Sequence, residues 1–224
     1  MGARLMGHHV TVEQGDHLPA LAEEAGFSDW RTVWDAPENA ELRAQRKEPG
    51  LLAPGDRVFL PDKQAGDGVR VPTGASARFR VKIRLPKLRV VVCGFDGKPL
   101  ADTQVTVTVE GAEVHATTGA DGLVELDLTP GAREATLEVN AMSWTLQIGH
   151  LDPVDTDTGL WARLRNLGYL VDEDTEQAGA APDAPPDPEL LAFAIELFQR
   201  DHGLPIDGSD AASVTAKLKE AYGC

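Results

Sequence analysis

The chain has 224 residues, with 42% hydrophobic and 25% charged residues, the balance of an ordinary globular protein with room for one large fold or two to three small ones. Its formal net charge of −15 is the wrong sign for nucleic acid or an anionic membrane surface, and no run of about 18 apolar residues is present to span a bilayer. The charge is uneven: residues 1–65 hold 7 Lys+Arg against 11 Asp+Glu, residues 66–150 hold 9 against 10, and residues 151–224 hold 5 against 15. The N-terminus lacks the apolar core of a signal peptide, so synthesis in the cytoplasm is expected, with any export left to a secretion machine. Two cysteines do not make a disulfide framework; Cys93, after Val90-Val91-Val92, is expected to be a small buried hydrophobe.

Residues 8–61 open with a strand carrying Val10 and Val12 and turn at Gln14-Gly15-Asp16. A helix over LPALAEEAGF follows, with Asp16 placed as its N-cap and Pro19 in its first turn. A second helical stretch begins near Ser28-Asp29-Trp30 and carries Val33 and Trp34. A charged link, Asp35 to Gly50, leads to a Pro54-Gly55 turn and a strand Arg57 to Leu60.

Residues 69–148 alternate like strands at a spacing near ten residues. The runs LRVVVCGF, QVTVTVE, EVHATT, LVELDL, ATLEVN and MSWTLQI are separated by Asp96-Gly97, Gly111, Asp121-Gly122 and Pro130-Gly131, which predicts a small all-β sandwich. Before them, Arg78, Arg80, Lys82 and Arg84 alternate with Phe79, Val81, Ile83 and Leu85, so a strand here would carry cations on one face and apolar groups on the other. Two uses fit this pattern. One is a solvated edge strand whose charges deter pairing. The other is a docking strip for an acidic partner, the chain's own acidic C-terminal segment included.

Residues 152–222 begin with an apolar stripe, Leu160, Leu164, Leu167 and Leu170, on a helix expected from Thr158 to Leu167. A Pro/Ala/Asp-rich loop, Gly179 to Pro188, is expected to be extended. Leu191, Ala194, Ile195 and Phe198 recur on one helical face until His202-Gly203. A turn at Ile206-Asp207-Gly208 and a third helix, capped by Ser209 or Asp210, complete the segment.

Each segment resembles a known module. V-x-x-G-D-x-L (Val12, Gly15, Asp16, Leu18) and P-G-D-x-V-x-L-P (Pro54 to Pro61) resemble the two ends of a LysM domain. That resemblance implies a βααβ fold and a glycan groove walled by Gly15, Asp16, His17 and Leu18 on one side and Leu52, Ala53, Pro54 and Gly55 on the other. Turn and cap chemistry alone also accounts for these glycines, Asp16 and Pro54. The β segment, in F-D-G-K-P-L-A-D and T-T-G-A-D-G-L-V, resembles immunoglobulin-like or transthyretin-like repeats, a likeness of architecture. Leu160, Leu164 and Leu167 to Leu170, with Ala194, Phe198, Gln199, Gly203, Leu204, Asp207 and Gly208, resemble the three-helix peptidoglycan-binding domain.

The expectation is therefore a multi-domain α+β chain: a LysM-like domain over 1–65, an immunoglobulin- or transthyretin-like sandwich over 66–150 and a helical peptidoglycan-binding-like domain over 151–224. The phrases Trp30 to Leu42 and Gly149 to Asp155, with this order of modules, resemble small proteins of contractile injection systems, type VI secretion among them. The first phrase offers Trp30 and Trp34 as protein-docking residues. Neither H-E-x-x-H, a zinc quartet, G-x-S-x-G nor a P-loop occurs. A non-catalytic protein without cofactor or metal is expected, whose partner is peptidoglycan or a secretion spike or effector protein, with no role for nucleic acid or membrane. Two functions stay open: a wall-binding accessory protein, or an adaptor whose modules hold protein and no longer glycan.

Overall fold

A computed structural model describes residues 7–63, 70–74, 76–80, 83–94, 97–170 and 187–223. The chain is mixed α+β, with three antiparallel sheets and six α-helices among these residues. It forms two compact units, Met1–Ile148 and Gly149–Cys224.

In the first unit, β1 (His8–Thr11) pairs antiparallel with β2 (Arg57–Leu60), with Val10 opposite Val58. Between them run α1 (Leu18–Glu24), α2 (Arg31–Trp34), a 3-10 turn at Pro37–Asn39, and α3 (Ala40–Arg46). The helix α3 occupies the stretch expected to be a charged link. It buries Leu42 alone, so its sequence carries no apolar stripe to announce it. Val12, Leu18, Leu21, Val33, Leu42, Leu52, Val58 and Leu60 share one core, against which Trp30 and Trp34 pack half-buried.

Two polar devices hold this core's frame. The buried Asn39 pairs with β2 like a strand: its amide donates to Phe59 O and accepts from Phe59 N, both at 2.8 Å, and donates again to Val33 O. Every polar atom of the side chain is thereby satisfied, as burial demands. Arg46 at the end of α3 meets Asp56 at the start of β2 through Nε (2.7 Å) and Nη2 (2.9 Å).

The rest of the first unit is β. A two-stranded sheet joins β3 (Lys87–Val91) to β6 (Leu123–Asp127). A four-stranded sheet runs β5 (Ala112–Thr117), β4 (Gln104–Val109), β7 (Glu134–Val139) and β8 (Met142–Gln147). The period-2 alternation of β4 and β7 sends Val105, Val107, Ala135, Leu137 and Val139 into one cluster with Val92 and Val124 from the smaller sheet's chain. Two-residue turns close both hairpins, Glu110-Gly111 and Asn140-Ala141, with positive φ at all four residues.

Two expectations for this region are overturned. The described residues of the cation-apolar stretch, 76–80 and 83–86, lie in no strand; Arg78, Arg80 and Arg84 are exposed, and Lys82 lies outside the described residues. An alternating sequence needs a neighbouring strand to pair with, and the described part of the chain supplies none here. Cys93 is exposed: the β3 ladder ends at Val91, Val92 turns inward, and Cys93 forms an isolated bridge to Pro99.

The second unit packs α4 (Asp157–Asn166), α5 (Pro188–Asp201) and α6 (Ala212–Tyr222) around Leu160, Leu164, Leu191, Ala194, Ile195, Phe198, Val214 and Leu218. Asp187 caps α5 through bonds from Glu189 N (2.8 Å) and Leu190 N (3.4 Å), with Pro188 in the first turn. The remainder of the Pro-rich loop, 179–186, lies outside the described residues. The N-cap of α6 is Ala211, without a side-chain bond, rather than Ser209 or Asp210; Ser209 is engaged with Asp207 instead.

Candidate functional site

The loops of the anticipated groove lie side by side, since Gly55 N–H donates to Val12 O at 2.9 Å and Val12 N–H to Asp56 O at 2.8 Å. Within them, Leu18, Leu52 and Ala53 are buried, Leu18 and Leu52 as members of the core, while Pro54 and Gly55 face outward. Gly15 and His17 are buried and Asp16 is half-buried.

What buries the first wall is the turn before β7. His17 Nε2 lies 3.2 Å from the carbonyl of Ala132, itself without exposed surface. Arg133 Nη1 donates to Gly15 O (3.1 Å), and its guanidinium reaches Asp16 Oδ1 (3.3 Å) and Glu24 Oε1 (3.2 Å). A Cβ at Gly131 would stand 2.8 Å from Glu23 Oε2, which shows how closely this turn rides on α1.

His17 is also the N-cap of α1, the role expected of Asp16. Its Nδ1 accepts from Ala20 N at 3.4 Å, and the Asp16 carboxylate instead accepts from Glu13 N–H at 2.9 Å. An accepting Nδ1 leaves the proton on Nε2, which donates to Ala132 O. Burial lowers the His17 pKa below its usual value, and the neighbouring Arg133 cation acts in the same direction. The Ala132 carbonyl and the carboxylates of Asp16 and Glu24 oppose the shift.

In the second unit, the motif Phe198, Gln199, Gly203, Leu204, Asp207 and Gly208 is brought together around one side chain. The buried Gln199 amide donates to Asp207 Oδ1 (2.7 Å) and Ser209 O (3.3 Å), and accepts from the N–H groups of Asp207 (3.0 Å) and Gly208 (3.1 Å). Asp207 also accepts from Ser209 N and Oγ, and these donors hold its pKa below the usual carboxylate range, the Ser209 N–H first among them. Phe198 is fully buried under an edge-to-face contact with Tyr169, 5.4 Å between centroids. Gly203 and Gly208 take positive φ, and Leu204 packs half-buried on the core. The polar atoms of Gln199 are thus spent on the loop from Gly203 to Ser209.

Sequence reasoning placed the start of α4 within one residue but missed its cap, Thr156. Thr156 Oγ1 accepts from Gly159 N (3.0 Å) and donates to Pro153 O (2.7 Å); Thr158 Oγ1 donates to the carboxylate of the buried Asp152 (2.5 Å). Arg163, fully buried, donates to the carbonyls of Asp152 (2.8 Å) and Gly159 (2.9 Å) and lies 5.6 Å from the Tyr222 ring. A Cβ at Gly159 would fall 1.9 Å from Pro153 O. The phrase Gly149 to Asp155 is therefore the lower half of a hydrogen-bonded clamp on this helix. The T-x-x spacing before Gly159 was the available signal for the cap.

The outer face of the four-stranded sheet presents a further polar surface. Register places His115, Thr106, Glu138 and Ser143 in one row across all four strands, along a shallow concavity of about 1010 Å³. His115 Nδ1 lies 3.1 Å from Thr106 Oγ1, and among the described residues no carboxylate hydrogen-bonds its ring. Among the described residues, no group of three or more His, Cys, Asp or Glu side chains converges as a metal site, and no helix is long and apolar enough to cross a membrane. No family model, curated protein or solved structure matches the chain.

Proposed function

We propose that this chain is a non-catalytic adaptor protein of a contractile injection or type VI secretion apparatus, tethering a spike, baseplate or effector protein. One observation carries the preference for protein over glycan: the wall Gly15–Leu18 is taken up by Ala132 and Arg133 of the same chain. A LysM-like module whose groove wall is engaged in this way acts as a structural part. In this reading the β1–β2 region is LysM-like with an added helix, the paired sheets form an immunoglobulin- or transthyretin-like sandwich, and α4–α6 form the peptidoglycan-binding-type module. The Gln199 bonds give its motif a loop-holding role, which supports the same preference.

The wall-binding reading keeps one support, the outward-facing Pro54 and Gly55. Sedimentation with insoluble peptidoglycan separates the two. The adaptor reading expects the chain to stay in the supernatant at moderate salt and to co-purify with a spike or effector protein from its native cells. Co-sedimentation lost on Pro54→Glu, an outward-facing position, with the fold retained, would replace it with the wall-binding reading.

A further inference from the structure

We infer that β8 pairs antiparallel with the β8 of a second copy, about a two-fold axis at Thr145, so that the two four-stranded sheets become one. The edge is unguarded. β8 reads Met142-Ser-Trp-Thr-Leu-Gln147, with neither a charge nor a proline, whereas the opposite edge strand β5 carries Glu113. Edge strands of stable monomers are ordinarily blunted by such residues. The two-residue turn Asn140-Ala141 fixes which backbone groups point outward. Val139 and Met142 flank it as a hydrogen-bonded pair, so Trp144 and Leu146 are bonded to β7, and Ile148 N bonds Arg133 O at 2.9 Å in the same phase. Ser143, Thr145 and Gln147 direct their N–H and C=O groups away from β7, and among the described residues no further strand meets them.

The edge complements itself. With the axis at Thr145, Thr145 faces its own copy and Ser143 faces Gln147 of the second copy, so all the outward residues form hydrogen-bonded pairs, about six main-chain bonds. Moving the axis to Trp144 strands Gln147 and loses about two of them. On the outer face, Thr108, Thr136 and Thr145 stand in one row across β4, β7 and β8. Pairing continues that row into the second copy, threonine against threonine, a favourable cross-strand pair. Glu134 and Glu138 lie one strand further in, opposite Gln147 and Ser143, so no carboxylate meets another across the axis. On the inner face, Trp144 is 42% exposed although its ladder partner Leu137 is buried, and it would lie against Leu146 of the second copy. Charge favours the same contact. Each chain carries −15, and this uncharged strand is where two such copies can approach. Pairing with β5 of the second copy would bring Glu113 to the contact and leave an edge open at each end, a filament instead of a closed pair. A six-residue edge buries less than the roughly 1,200 Å² of a standard interface, so the dissociation constant is on the order of 100 μM.

Sedimentation equilibrium of the full chain, across a concentration series in about 0.3 M salt to screen the net charge, tests this. The mass should rise from 24.0 kDa toward twice that value and stop there. Thr145→Lys and Thr145→Asp should each weaken the association about tenfold or more, because like charges then face each other across the axis. Thr145 is exposed and its backbone does not bond β7, so the circular dichroism spectrum should stay unchanged. An equimolar mixture of the two variants should associate more tightly than either alone, as only a contact of position 145 with itself allows. In the unaltered chain, hydrogen exchange at the Ser143, Thr145 and Gln147 amides should slow as concentration rises, while the His115 amide on β5 keeps its rate. A monomer mass throughout, growth beyond the dimer, no gain on mixing the variants, or protection at His115 overturns the proposal.

Discussion

Arg46 and Asp56 form a two-point ion pair, Nε to Oδ2 at 2.7 Å and Nη2 to Oδ1 at 2.9 Å, with both side chains less than one-tenth exposed. The same carboxylate accepts from Ala53 N–H at 2.9 Å, so the pair also fixes the turn entering β2. Removing either partner leaves a buried charge without its counterpart. Asp56→Ala should cost about 3–5 kcal/mol in chemical denaturation of the first unit, and Arg46→Met a similar amount. The double variant should recover part of that loss, since it buries no orphaned charge.

The His17 imidazole makes the first unit acid-sensitive. Its pKa is lowered by burial, so the unfolded chain takes up the proton at a higher pH than the folded one. Stability from this residue is full above the unfolded value near 6.5 and declines as pH falls toward the folded value. Protonation on Nδ1 ends its acceptance from Ala20 N–H and sets a cation at the start of α1, beside Arg133. Thermal midpoints measured from pH 7.5 to 5 should fall, and His17→Gln should flatten that part of the profile while lowering stability at pH 7.5.

Gly159 admits no side chain. Its Cβ position is 1.9 Å from Pro153 O and 2.8 Å from Asp152 O, both backbone atoms that cannot step aside. Gly159→Ala should unfold the second unit or cost it more than about 3 kcal/mol, read from the near-ultraviolet signal of Trp161. Gln199→Ala is gentler. It strips partners from the Asp207 and Gly208 N–H groups and should cost on the order of 2–3 kcal/mol.

Ala141 sits at φ +65 in the turn between β7 and β8, after Asn140 at +49. A left-handed alanine costs energy that glycine does not. Ala141→Gly, giving the favoured Asn-Gly pair, should stabilise the first unit by about 0.5–1 kcal/mol in urea titration.

How much of this was legible depended on whether a residue's role was local. The strands from Gln104 to Gln147 and the helix α5 follow from period-2 and helical spacing, because each buries one face against a shared core. The helix α3 was invisible because it is held by Arg43 and Arg46 through Trp34, Ala36 and Asp56 rather than by an apolar stripe. The cap of α1 fell one residue from its expected place because His17 is recruited by Ala132, 115 positions away, a partner no local window contains. Arg78, Arg80 and Arg84 read as strand from their alternation, and alternation states only which face each side chain would take. The motif around Gln199 was legible as sequence, but its inward bonds to Asp207 and Gly208 appear only once the loop has turned back on α5.

The clamp at the head of α4 has a consequence for recognising kin of this chain. Asp152 and Pro153 offer their carbonyls, Thr156 bonds backward and forward, Gly159 allows the crossing, and Arg163 closes it from within. Each role constrains its position, and the helix fixes the intervals. Sequences that diverged beyond overall similarity would still have to keep T-x-x-G-x-x-x-R to build this crossing, whereas any residue supplies the two carbonyls at 152 and 153. Those three spaced letters form a more durable fingerprint than the surface on either side of them.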